Sequence, residues 1–244
     1  MIKRLFDLVF SLLGLIVASP ILLPTMLAVW LQDYHNPFYT AQRVGLNEKC
    51  FTMVKMRSMV INADKSGVDS TSANDNRITA VGNFIRKFKL DELTQLWNVL
   101  LGDMSFVGPR PNVKVETDLY TDIEKKLLTV KPGITDISSI VFSDEGEILA
   151  DKDDPDIAYN QLIRPWKSRL GLIYIENQSV LLDIKLIWLT VIAIVSKQRA
   201  LNSINEILLG LNTPEETIKV AKRNADLVPT PPPGSNKIVV SRAM

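Results

Sequence analysis

From Leu8 to Leu31 the chain carries 24 consecutive residues without a charge. As a helix such a run is long enough to cross a bilayer core, so it dictates a membrane-attached architecture before anything else is considered. A cleaved secretory signal is the competing reading. The run outlasts a typical signal core, however, and no small-x-small cleavage site follows it. Lys3 and Arg4 precede it and favour a cytoplasmic N-terminus. Ser19-Pro20 falls at its middle and Pro24 one turn later, and each proline removes a helical hydrogen bond. Two arrangements stay open: a kinked single span, or a helix broken at Ser19 and Pro20 that re-enters the leaflet it left. The Ser19 hydroxyl is placed to bond a carbonyl one turn back, and the re-entrant form is the expected one.

The rest of the composition narrows the chemistry. The chain's 244 residues accommodate one large domain, or one domain with appendages. A net charge of +1 argues against a dedicated nucleic-acid binder, which normally carries a basic excess. One cysteine, Cys50, allows no intrachain disulfide and suits a reducing compartment. One histidine, His35, rules out every scheme needing two, including the common zinc hydrolase sites. None of the eleven glycines is spaced G-x-G and no P-loop motif occurs, so any phosphate must be held by cations, a metal or helix ends.

Past the anchor, Tyr39–Val44 and Cys50–Met56 flank Gly45-Leu46-Asn47-Glu48 and read as a β-hairpin. Residues 63–76 are small or polar and read as a mobile loop, either a lid or an inert surface segment. Leu119, Ile123, Leu127 and Leu128 recur at helical spacing, which predicts one amphipathic helix over 114–130, stopped by Lys131-Pro132-Gly133. Ile184–Val195 is too short to span and reads either as an interfacial helix or as a core helix. Thr213-Pro214-Glu215-Glu216 has the form of a capping box opening a helix to about Arg223. Val228–Gly234, with four prolines, predicts an extended, disordered tail. The expected organisation is a membrane helix over 1–35, a cytosolic domain over 36–200 and an extension over 201–244. The expected fold class is α+β, mainly helical.

The chemistry concentrates between Arg86 and Pro111. Asp91 and Glu92 stand side by side just before an apolar-periodic run (Leu93, Leu96, Trp97, Leu100, Leu101) that ends at Gly102. That places Asp91 in the first turn of a short helix, where free N–H groups and the helix dipole favour its ionised form. An aspartate there is either a cap or, with a second carboxylate beside it, a nucleophile, a general base or a ligand for a hard cation.

The wider pattern resembles a known family. Leu90-Asp91-Glu92-Leu93, Gln95-Leu96, Asn98-Val99-Leu100, Gly102-Asp103-Met104-Ser105 and Val107-Gly108-Pro109-Arg110-Pro111 are similar to the signature of bacterial sugar transferases. These are the monotopic phosphoglycosyl transferases that start glycan assembly on a polyprenol phosphate. Lys3-Arg4-Leu5-Phe6-Asp7, Gln42-Arg43-Val44-Gly45, Lys55-Met56-Arg57-Ser58-Met59, Arg77-Ile78-Thr79 with Gly82, and Lys131-Pro132-Gly133-Ile134-Thr135 extend the resemblance over roughly residues 1–200. The chain departs from the pattern at Thr94, where Pro is usual, and at Asp136, where Gly is common.

The resemblance implies transfer of a sugar 1-phosphate from a UDP-sugar to undecaprenyl phosphate at the cytoplasmic face of the bacterial inner membrane, with release of UMP. UDP-sugars lie in the cytoplasm, which also favours the re-entrant anchor. It implies Asp91 as nucleophile, forming a glycosyl-phospho-aspartate, and Glu92 as its orienting partner or, with Asp91, a holder of Mg²⁺. The sugar expected is an N-acetylated amino or deoxyamino sugar. Arg43, Lys55, Arg57, Arg77, Arg86 and Arg110 lie in the matching motifs. At least three are expected to meet substrate phosphate, lipid phosphate or the acidic pair, since a diphosphate needs about two negative charges neutralised. Two other readings are direct glycosyl transfer with Asp91 as a base, and a non-catalytic scaffold whose tail recruits downstream glycosyltransferases.

Overall fold

The computed structural model describes residues 2–63, 71, 72 and 74–241. It opens with helix α1 (Ile2–Leu31), which runs unbroken through Pro20 and Pro24, where a break at Ser19-Pro20 is expected. The reason is local. Pro20 deprives the Ile16 carbonyl of its helical donor, and the Ser19 hydroxyl donates to that same carbonyl at 2.7 Å. Among the described residues α1 is the only helix long and apolar enough to cross a membrane.

Along α1 one stripe faces the protein and the rest faces outward. Asp7, Ser11, Leu22 and Val29 are buried, while Leu5, Phe10, Leu13, Val17, Leu23 and Leu27 are exposed. Both ends are fastened to the same body. At the start, Arg4 donates to the carbonyls of Val99 (2.6 Å) and Leu100 (2.8 Å), and Asp7 accepts from Ser105 Oγ (3.0 Å) and Phe106 N (3.1 Å). Lys3 pairs with Asp183 and donates to Tyr174 Oη and the Val107 carbonyl. At the far end Leu22 and Val29 pack on Met56, Ile85 and Leu90, and Arg57 forks onto Asp33 just beyond the helix.

The predicted hairpin forms: β1 (Phe38–Val44) pairs antiparallel with β2 (Cys50–Met56). Of the segment 63–76 expected to be a loop, residues 64–70 and 73 lie outside the described residues. Helices α2 (Ala80–Lys87), α3 (Leu90–Leu93) and α4 (Leu96–Leu101) follow, and α4 ends at Gly102, whose φ of 96° is left-handed and favours glycine. β3 (Ser105–Val107) then lies parallel to β4 (Gly133–Thr135), with Val107 opposite Thr135. This pairing brings two distant motifs together. A Cβ on Gly133 would sit 2.1 Å from Gly108 N, and one on Gly108 would sit 2.4 Å from the Lys131 carbonyl oxygen, so neither glycine tolerates a side chain.

The single helix expected over 114–130 is not there. A short α5 (Lys114–Thr117) and a 3₁₀ segment (Glu124–Thr129) stand in its place. Glu124 is the cause. It is fully buried, accepting from Arg164 Nε (3.1 Å), Arg164 Nη2 (2.6 Å) and Ser168 Oγ (2.7 Å), and its carboxylate also takes the Thr121 N–H at 3.0 Å. That last bond starts a new turn at Thr121 and interrupts the helix.

The main core lies among α6 (Ile137–Val141), α7 (Glu145–Ile148), α8 (Pro155–Ala158), α9 (Arg164–Asn177), α10 (Val180–Val195), α11 (Lys197–Gly210) and α12 (Glu215–Ala221). Helix α10 is a core helix on one face and exposed on the other: Leu182, Leu186 and Leu189 are buried in the core, while Leu181, Ile184, Trp188, Val191 and Val195 are exposed. The capping box at Thr213 is not made. Pro214 takes the cap position of α12 without a side-chain bond, and the Thr213 hydroxyl is buried without a partner. The proline-rich tail, expected to be disordered, is extended but tied down: Thr230 N donates to Gln161 O, Arg169 Nη2 to Pro231 O, and Thr121 Oγ1 to Pro233 O.

Candidate active site

Asp91 and Glu92 occupy the first turn of α3, as their position in the sequence predicts. No side chain caps this turn; Lys89 takes the cap position in a left-handed conformation, φ 56°. Asp91 is therefore not engaged in capping. Thr94 stands where proline is usual, and its hydroxyl donates to the Asp91 carbonyl at 3.0 Å, a bond proline cannot make. Asn98 stitches the next turn to the hairpin, accepting from Val54 N at 2.9 Å and donating to Thr52 O at 2.7 Å. Strand β2 is thereby fixed beside the acidic pair, and Lys55 with it.

Among the described residues the ion-pair partners of the acidic pair are Lys55 and Arg110. Arg110 Nη2 donates to Glu92 Oε1 at 2.8 Å, and Lys55 Nζ lies 3.9 Å from Glu92 and 4.0 Å from Asp91. Burial alone would raise the Glu92 carboxyl, but Arg110, Lys55 and Lys89 outweigh it and hold it well below the usual carboxylate range. Burial, reinforced by the neighbouring Arg110 charge, pulls the Lys55 ammonium down to about 8. The two carboxylates thus differ. Glu92 is bonded to a cation, whereas Asp91 Oδ1 is buried with no hydrogen-bond partner, and so is Gln95 Nε2 one turn on. Asp91, Glu92, Gln95, Lys55 and Arg110 all line one open cleft of about 1230 Å³. A buried acceptor and a buried donor at the wall of a cleft are thus both without a protein partner.

The other four cations line the same cleft but are turned to other partners. Arg57 is bound to Asp33 and to the Asn36 carbonyl, fastening the hairpin to the segment that follows α1. Arg77 forks onto Asp75, with Nε–Oδ1 at 2.9 Å and Nη2–Oδ2 at 2.6 Å. Arg86 reaches Ser58 Oγ at 3.4 Å, and Arg43 donates to the Gln42 carbonyl at 3.2 Å. Asp136, the second departure from the pattern, caps α6 by accepting from Ser139 N at 2.7 Å. Its φ of −160° is ordinary extended backbone, so glycine is not required there. Sequence reasoning missed Glu145 and Lys167, which form an ion pair lining the same cleft. No spacing signal links either of them to Asp91; they meet only through the fold.

Among the described residues no group of three metal-binding side chains occurs. The donors present are carboxylate oxygens, Asp91 foremost because its Oδ1 is unmatched. Such a set fits a hard cation that keeps waters and takes its remaining ligands from substrate phosphates, as Mg²⁺ does.

Comparison with known proteins agrees with this geometry. Residues 1–197 match the family model described as bacterial sugar transferase. The sugar transferase EpsL of Bacillus subtilis is 37% identical over 190 residues, covering 78% of this chain and 85% of that protein. The undecaprenyl-phosphate galactose phosphotransferase of Salmonella typhimurium is 44% identical over 152 residues, covering 55% of this chain and 31% of that protein. The UDP-glucose:undecaprenyl-phosphate glucose-1-phosphate transferase of Klebsiella pneumoniae is 37% identical over 193 residues, 78% of this chain and 39% of that protein. The chain thus spans less than half the length of the two relatives named for a reaction. With the match extending from α1 through the acidic pair to the end of α10, this chain belongs to the bacterial sugar transferase family.

Proposed function

We propose that the chain transfers a sugar 1-phosphate from a UDP-sugar to undecaprenyl phosphate in two displacements at Asp91. The observation that carries this reading is the buried, unpartnered Oδ1 of Asp91, at the cleft next to Lys55 and the Arg110–Glu92 pair. In the first step an Asp91 oxygen attacks the β-phosphorus. The bond from that phosphorus to the bridging oxygen breaks, and UMP leaves with the electron pair. In the second step an oxygen of the lipid phosphate attacks the same phosphorus and expels the carboxylate, giving a lipid diphosphate sugar. Lys55 and Arg110 balance the charge of the donor phosphates, and Glu92 holds those two cations in place. Mg²⁺, held by Asp91 and Glu92, would neutralise the diphosphate and assist the leaving group.

Turnover is read as UMP released from a panel of UDP-sugars in the presence of undecaprenyl phosphate and Mg²⁺. The N-acetylated amino or deoxyamino sugars are the first to try, and glucose and galactose, named in the relatives, come next. Chelation with EDTA should lower the rate by about a hundredfold or more, and Mg²⁺ or Mn²⁺ should restore it. Full turnover in chelator would remove the metal from the reading. No UMP release from any donor would favour the non-catalytic scaffold.

Lys55 gives the reaction a pH limit. Its ammonium is present below about 8 and lost above it, so the rate should fall as the pH rises through about 8. Lys55→Arg, always protonated, should lose that fall even if its rate is lower. An unchanged alkaline limit in this variant would assign it to another group.

The fastening of both ends of α1 to one body supports an anchor whose two ends lie on the same, cytoplasmic side. Reporters placed at the N-terminus and after His35 should therefore both face the cytoplasm. Periplasmic labelling of a cysteine at position 2 in the otherwise native chain would establish a true span.

A further inference from the structure

The family match ends at residue 197, yet the segment beyond it reaches back to the wall of the cleft. Arg223 follows α12 in a left-handed conformation, φ 52°, and its guanidinium is largely buried. It lies over the Phe142 ring, 5.4 Å from the centroid, and Nη2 donates to Asp144 Oδ2 at 3.2 Å. Lys197 pairs with the same carboxylate oxygen. Arg223 Nε and Nη1 and Asp144 Oδ1 are buried with no other hydrogen bond, so the Asp144 contact is the guanidinium's principal polar tie.

Phe142, Ser143 and Asp144 form the turn between α6 and α7, and Glu145 opens α7. The Glu145 N–H donates to the Phe142 carbonyl at 3.0 Å, and its carboxylate pairs with Lys167. Phe142, Ser143, Asp144 and Glu145 all line the cleft that holds Asp91 and Glu92. Glu145 also acts electrostatically on Arg110, the cation that Glu92 holds. The cleft therefore contains a second adjacent acidic pair, Asp144-Glu145, each member of which is paired with a cation.

We propose that Arg223 is a positioning residue for the transfer reaction: with Lys197 it balances the charge of Asp144, it covers Phe142, and so it holds the turn that keeps Glu145 on Lys167. The consequence for turnover rests on the reading of the site as a sugar-phosphate transferase; the fixing of the turn does not. Met meets the same backbone demand as Arg at φ 52°, so Arg223→Met removes the charge, with its contacts to Asp144 and the Phe142 ring, at no added backbone cost.

Full-length Arg223→Met, Arg223→Lys and Arg223→Met/Asp144→Asn proteins are compared with the parent in lipid nanodiscs. By hydrogen–deuterium exchange, the peptide spanning 142–149 should exchange about tenfold faster in Arg223→Met, while peptides of β1 and β2 are unchanged. With a UDP-sugar that the parent turns over, Arg223→Met should lose about tenfold in kcat/KM per folded molecule, and Arg223→Lys and the double variant should each recover most of it. Exchange at 142–149 equal to the parent's would overturn the proposal, as would kcat/KM within twofold of the parent or a failure of both rescues. If the parent turns over no UDP-sugar, the assigned activity falls, and the exchange comparison still decides whether Arg223 holds the turn.

Discussion

Asp91→Asn should abolish turnover, by about a thousandfold or more, without unfolding the protein. The amide matches the carboxylate in size, and one of the two oxygens, Oδ1, has no hydrogen bond to lose. Lys55, at 4.0 Å, loses one of two acidic neighbours and keeps Glu92 at 3.9 Å. The fold therefore has little at stake, while the reaction loses its nucleophile. Incubated with a UDP-sugar and Mg²⁺ but no lipid acceptor, the parent protein should gain the mass of one sugar phosphate, and Asp91→Asn should not. Glu92→Gln is a sterner test of the fold, because it leaves Arg110 without its charge partner. Retention of more than about a tenth of the activity by Asp91→Asn would refute the covalent route and favour direct transfer with another base.

The second large effect concerns stability. Glu124→Leu should unfold the protein or lower its melting temperature by about 10 °C or more, since it strands a buried guanidinium at a cost of about 3–5 kcal/mol. Glu124 and Arg164 are 0% and 2% exposed in their side chains, so water cannot substitute for the lost partner. Asn160 Oδ1 at 3.0 Å and the Leu119 carbonyl at 2.8 Å would still hold Arg164, but neither carries a charge. Replacing both members, Glu124→Leu with Arg164→Met, should recover more than half of the loss, because the penalty lies in the unpaired charge. A melting temperature within about 2 °C of the parent's in Glu124→Leu would contradict the pairing.

These two sites also mark where the sequence can be read and where it cannot. The acidic pair is legible because local cues agree: an apolar period begins at Leu93 and ends at a left-handed Gly102. The hairpin is legible for the same reason, two apolar-rich runs around a glycine turn. Glu124 is not. Leu119, Ile123, Leu127 and Leu128 satisfy a helical period by themselves, and a glutamate among them reads as solvated until Arg164, forty residues on, claims it. Lys3 and Arg4 read as charges that orient a membrane helix, yet they are hydrogen-bond donors to Val107, Val99 and Leu100. Among the described residues, the ion pairs of the acidic pair are those with Lys55 and Arg110. Arg57 and Arg77 are claimed by Asp33 and Asp75, and which carboxylate claims which cation depends on tertiary packing that no spacing reveals. Glu145 and Lys167 carry no local mark at all.

Helix α1 has the composition of a tether, but its polar contacts make it a structural member. Removing it would strip the donors from the carbonyls that close α4, leave Ser105 and Phe106 without Asp7, and leave the carboxylate of Asp183 buried beside Tyr174 without its ammonium. A clipped, detergent-free catalytic domain is therefore not obtained by trimming the N-terminus. Severing the chain between Leu31 and Phe38, in contrast, should leave two fragments that still purify as one.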